Sequence, residues 1–76
     1  MGEMAVMGQR GDTKIIWNPR DEDETENARK TWDRLVGKRR FIGFRVKKDG
    51  DKGEQIREFD PDAAKLIIVP PMAGGR

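Results

Sequence analysis

Hydrophobic and polar positions along this chain change period several times, and each change marks a boundary. Thr13 to Trp17 is β-branched and aromatic, which predicts a strand. Met4 to Met7 is a shorter apolar run, separated from it by the turn residues Gly8, Gly11 and Asp12. It either pairs with the strand as an N-terminal hairpin or forms a loose leader. Asn18-Pro19 ends the strand, because Pro19 has no N–H for a ladder and biases Asn18 away from helix. Beyond it the period becomes helical. Ala28, Trp32, Leu35 and Val36 fall at i, i+4, i+7 and i+8 on one face, with Arg29, Lys30, Asp33 and Arg34 on the other. Asp21 or Asp23 can cap this helix, and Glu22, Glu24 and Glu26 place negative charge where the helix dipole favours it. Gly37 fits the position just past its end, followed by the basic residues Lys38, Arg39 and Arg40.

The second half reads as three strands. In Phe41 to Lys48, Ile42, Phe44 and Val46 alternate with Gly43, Arg45 and Lys47, which predicts a half-buried strand with the first set inward. Asp49 to Gly53 is a turn containing an Asp-Gly pair. Glu54 to Phe59 is a further strand, but the spacing of Ile56 and Phe59 requires a bulge or an early end. Asp60 to Ala64 is a turn or a single helical turn. In the last strand, Lys65 to Val69, four apolar residues run without interruption, so this strand is expected in the middle of the sheet. Pro70-Pro71 ends it.

One helix covers one face of a sheet, so the pattern predicts an α+β fold with a mixed sheet of four to five strands and Trp32, Leu35 and Val36 packed on it. If the first and last strands are neighbours, they pair in parallel at its centre. That arrangement is the β-grasp. The expected organisation is a domain over 1–71 and a flexible tail over 72–76.

Composition narrows the function. The 76 residues make one small domain, which buries only about 60% of the surface its unfolded chain exposes. A deep catalytic cavity does not fit in that volume. There is no cysteine and no histidine, which removes thiol chemistry and the commonest general base. We therefore expect no enzyme activity, no catalytic residue, no metal site and no cofactor. The formal net charge is only +2, and few aromatics interleave with the basic residues, so nucleic acid is not the expected partner. The first seven residues hold one acid, Glu3, and no basic start of a signal peptide, and no apolar run approaches the roughly 18 residues of a membrane span. A cytoplasmic location is expected. Trp17 and Trp32 are expected in the core, and Phe41, out of phase with Ile42, at the surface. The acidic group at 21–26 reads as a helix start and only secondarily as a cation site. The basic residues Lys38, Arg39, Arg40, Arg45, Lys47 and Lys48 read either as a solvated face or as a contact for an acidic surface. Arg39, Arg40, Phe41, Arg45 and Lys47 are the candidate partner-binding residues.

The end of the chain carries the candidate chemistry. Gly74 and Gly75 have no Cβ, so an extended diglycine can thread a narrow channel. Pro70 and Pro71 stiffen the exit from the sheet and, with Met72, would aim the tail. The segment Ile67-Ile68-Val69-Pro70-Pro71-Met72-Ala73-Gly74-Gly75 resembles the tail of the small subunit of molybdopterin synthase and, more loosely, those of the thiamine sulfur carrier and bacterial ubiquitin-like proteins. Trp17-Asn18-Pro19 and Phe59-Asp60-Pro61 are similar to turns in small bacterial proteins of this type. The resemblance to the ubiquitin-like superfamily implies an E1-like adenylating enzyme as partner, with ATP and magnesium belonging to that enzyme. It implies a role as protein modifier or sulfur carrier. Arg76 departs from the pattern, since the sulfur carriers end at the second glycine; a processing peptidase would have to cleave after Gly75. The alternative is a β-grasp interaction domain in which the tail plays no part and a sheet face binds the partner.

Overall fold

The computed structural model describes residues 1–8, 11–46 and 53–71. Among the described residues, five strands and one α-helix follow in the order β1 (Gly2–Val6), β2 (Thr13–Trp17), α1 (Glu22–Trp32), β3 (Ile42–Arg45), β4 (Glu54–Ile56) and β5 (Lys65–Val69). They form one mixed sheet in the spatial order β2-β1-β5-β3-β4. The N-terminal run is a strand and not a leader: β1 pairs antiparallel with β2, Gly2 opposite Trp17 and Met4 opposite Ile15. It also pairs in parallel with β5, Met4 opposite Leu66 and Val6 opposite Ile68. The apolar run of β5 is thus central, with β3 antiparallel on its other side.

Helix α1 begins where its chemistry dictates. Asp21 has extended backbone, and its Oδ1 accepts from the backbone N–H of Asp23 at 3.0 Å and of Glu24 at 3.2 Å. Two donors that the helix leaves without partners are thereby satisfied. Glu24 reaches back to accept the Asn18 N–H at 2.8 Å, and the Thr25 hydroxyl donates to the Asn18 carbonyl at 3.1 Å. The acidic residues at 21–24 therefore serve the helix start. Arg29 pairs with Glu26 and, at 3.1 Å, with Asp33 along the exposed face. The Arg29 guanidinium holds the Glu26 carboxyl below its ordinary range, and Glu26 raises the Arg29 pKa in return.

The helix does not stop at Gly37. It widens into a π-helical turn over Asp33–Lys38, with the Arg39 N–H bonded to the Arg34 carbonyl at 3.2 Å. The left-handed residue that reverses the chain is Arg40, at φ 60°. Phe41 then donates to the Leu35 carbonyl at 2.9 Å and closes the end. A side chain in the left-handed region costs about 1 kcal/mol relative to glycine.

The core lies between α1 and one sheet face. Met4, Trp17, Ala28, Trp32, Leu35, Ala63, Leu66 and Ile68 are buried. Each tryptophan ring takes up the side-chain space of a strand glycine: Trp17 at Gly2 and Trp32 at Gly43, where a Cβ would overlap the ring. Each indole N–H donates at 3.1 Å to a carbonyl of the segment after β4, Trp17 to Pro61 and Trp32 to Arg57. Phe59 sits between them, its ring centroid 5.1 Å from that of Trp17 and 6.3 Å from that of Trp32. β4 ends early, at Ile56, because the chain must bend at Arg57 and Glu58 to bring Phe59 into this position.

The phase of β3 corrects the expectation from its alternation. Gly43 is opposite Ile68 and Arg45 is opposite Leu66, so Gly43 and Arg45 share the helix-side face. Ile42 and Phe44 take the other face. A glycine is required inward because Trp32 occupies the volume its side chain would fill. β3 is also shorter than predicted: it starts at Ile42 because Arg40 and Phe41 are used in ending the helix.

Candidate functional site

Among the expected tail residues, Pro70 and Pro71 are described, and both are exposed directly after β5. Met72, Gly74, Gly75 and Arg76 lie outside the described residues, as do Lys47, Lys48 and most of the turn before β4. The chain therefore enters its last seven residues from the central strand, which is anchored on both sides by β1 and β3.

The basic candidates are not one patch. Arg45 turns to the helix-side edge of the sheet, where it pairs with Glu54 and donates to Asp60 Oδ2 at 2.8 Å. This hydrogen bond holds the Asp60 carboxyl below the usual range, outweighing its partial desolvation; the Asp62 and Ala63 backbone N–H groups help. The carboxylate also accepts the Asp62 N–H at 2.9 Å, while the Asp60 carbonyl accepts the Ala63 N–H at 3.2 Å. Arg45 is therefore a brace for the turn that delivers Phe59 and Ala63 to the core. Arg39 is exposed at the helix end.

Arg40 and Phe41 belong together. With Val36 and Gly37 of the π-helical turn, and Gln55, Ile56 and Arg57 at the end of β4, they line a groove of about 670 Å³. Phe41 is half-buried and packs against the core instead of standing in solvent. Arg57 is a groove residue that the sequence reading missed. It sits in a bend with no periodicity, and only its place in the same groove as Arg40 makes it notable.

A second feature is the sheet face opposite α1. Register places Ala5, Ile67 and Phe44 in one row across β1, β5 and β3, with Gln55 at its β4 end and Lys14 at its β2 end. Val69 and Ile42 form the neighbouring pair. These apolar side chains are half-buried, and Ile16 is 55% exposed. α1 and the 57–64 segment lie on the other face, so no described element crosses this one. Glu3 holds Lys14 and Lys65 at 3.8 Å each along its rim. An apolar centre with a charged rim is the composition of a docking surface.

No helix among the described residues is long and apolar enough to cross a membrane. No protein-family model, no curated protein and no solved structure matches this chain.

Proposed function

We propose that this chain is a ubiquitin-like β-grasp protein whose Gly74-Gly75 segment is activated by an E1-like adenylating enzyme in the cytoplasm. The observation that carries this reading is the course of β5. The central strand leads through two exposed prolines into the diglycine segment, so a pull or push on the tail is resisted by a strand paired on both sides. The strand order β2-β1-β5-β3-β4, with α1 following the first hairpin, supports the β-grasp assignment.

A processing peptidase first cleaves after Gly75. The Gly75 carboxylate then attacks the α-phosphorus of ATP and releases pyrophosphate, leaving an acyl-adenylate. A thiol or sulfide nucleophile displaces AMP to give a thioester or a thiocarboxylate, the species of a modifier or of a sulfur carrier. The chain is the substrate of this sequence and catalyses none of it. Its open apolar face supplies a surface for the activating enzyme.

ATP–pyrophosphate exchange with an E1-like enzyme of the host tests the reading. A chain ending at Gly75 supports exchange, and a chain continuing through Arg76 does not. Absence of exchange with both, or Arg76 retained in every molecule recovered from the host, overturns it. The apolar face also favours a second reading, a non-conjugating interaction domain. Under that reading partner binding depends on Phe44 and Ile67 and is indifferent to Gly74 and Gly75.

A further inference from the structure

We infer that the groove at the end of the β3–β4 ladder binds an extended peptide segment that alternates acidic and apolar side chains. Its floor is apolar: Val36, Phe41 and Ile56 are half-buried there. Its rim carries the exposed guanidiniums of Arg40 and Arg57, and no acid among the described residues lines it or pairs with either arginine. The other arginine of this sheet edge, Arg45, is occupied by Glu54 and Asp60, so the contrast is local.

The strand beside the groove decides the kind of ligand. β4 is the last strand in the sheet order and has β3 on one side only. Backbone donors and acceptors on the outer side of an edge strand are a template for a further strand. A small anion satisfies the arginines but leaves the apolar floor and the strand edge unused. An extended peptide uses all three: its backbone adds to β4, apolar side chains on one face reach Val36, Phe41 and Ile56, and carboxylates on the other meet the guanidiniums. The position of Arg40 sharpens this. The chain places an arginine at a left-handed residue where glycine is the unstrained choice, and the side chain so placed lines the groove.

The proposal uses no residue beyond Arg57, so a failure of ATP–pyrophosphate exchange does not touch it. The test is amide chemical-shift mapping on the full chain. The probe is a blocked Glu-Ile-Glu-Val-Glu-Leu peptide, with Lys-Ile-Lys-Val-Lys-Leu and inorganic phosphate as separate arms. The acidic peptide is expected to shift Arg40, Phe41, Gln55, Ile56 and Arg57, with affinity falling as salt rises. R40G and R57Q should each weaken it by a factor of about three to ten. R40G keeps the chain folded because glycine adopts the same backbone angle, and R57Q leaves the carbonyl that holds Trp32 in place. Equal binding of the lysine peptide, shifts confined to the row of Ala5, Ile67 and Phe44, phosphate alone reproducing the shifts, or unchanged affinity in both variants overturns it.

Discussion

Replacing Gly43 by alanine adds a single methyl group, and its effect depends on which face of β3 points at the helix. Gly43 is buried, and a Cβ built on it overlaps the six-membered ring of Trp32. That ring has no room to yield: Trp32 is fully buried, its N–H is fixed to the Arg57 carbonyl at 3.1 Å, and Phe59 stands on its other side. Overpacking a closed core costs about 1–3 kcal/mol, and loss of the indole hydrogen bond adds about 1 kcal/mol. We expect G43A to lose about 2–4 kcal/mol, a large share of the roughly 4–11 kcal/mol typical of a domain this size. Urea unfolding followed by tryptophan emission is a direct assay, since Trp17 and Trp32 are the only tryptophans and there is no tyrosine. With m of about 1 kcal/mol/M, the midpoint should fall by about 2–4 M. The opposite phase, with Ile42, Phe44 and Val46 inward, puts Gly43 in solvent, where alanine in a strand gains about 0.5–1 kcal/mol. The two arrangements thus differ in sign. An unchanged or raised midpoint refutes the packing described for Trp32.

Other substitutions test the remaining features. Phe44→Ser, on the open face, should cost under about 1.5 kcal/mol by urea titration, against the roughly 3–5 kcal/mol of emptying a core aromatic site. R40G should raise stability by about 1 kcal/mol in the same titration, because it relieves a left-handed side chain; a loss of stability would mean that the arginine is held there by a contact that outweighs its strain. For Asp60, whose folded pKa is depressed chiefly by the Arg45 hydrogen bond, the linked stability is complete above the unfolded-state pKa of about 3.9 and disappears as pH falls through the lower folded value. Thermal melts across pH 2–6 should therefore show a steeper acid limb for the wild type than for D60N or R45Q; parallel limbs would refute the pair's role.

The parts of this fold legible in the sequence are those written in side-chain hydropathy. The helix stripe of Ala28, Trp32 and Leu35 is buried as its spacing predicts, and β5 is central as its unbroken apolar run requires. The cap is Asp21, one of the two aspartates, Asp21 and Asp23, that residue chemistry offers. What escaped was written in absent side chains. Gly2 and Gly43 contribute no hydropathy, yet each defines an inward face by leaving space for a tryptophan ring. An alternation count therefore assigns β3 to the wrong phase and starts β1 too late. The helix end escaped for a related reason: Gly37 is a plausible terminator, but a π-helical turn carries the chain past it to Arg40. The groove was half legible. Arg40 and Phe41 stand out in the basic run, whereas Arg57 joins them only as a lining residue of the same groove in the folded chain.

The parallel pairing of β1 with β5 has a consequence for synthesis on the ribosome. Those two strands lie side by side at the centre of the sheet, yet some sixty residues separate them along the chain. Before β5 emerges, β1–β2 and β3–β4 are separate two-stranded ribbons, each of marginal stability in water. The last strand of this sheet to leave the exit tunnel is thus the one that joins them. Folding of this chain should be late, abrupt and all-or-none, and release of Leu66 and Ile68 from the tunnel should be the event that triggers it.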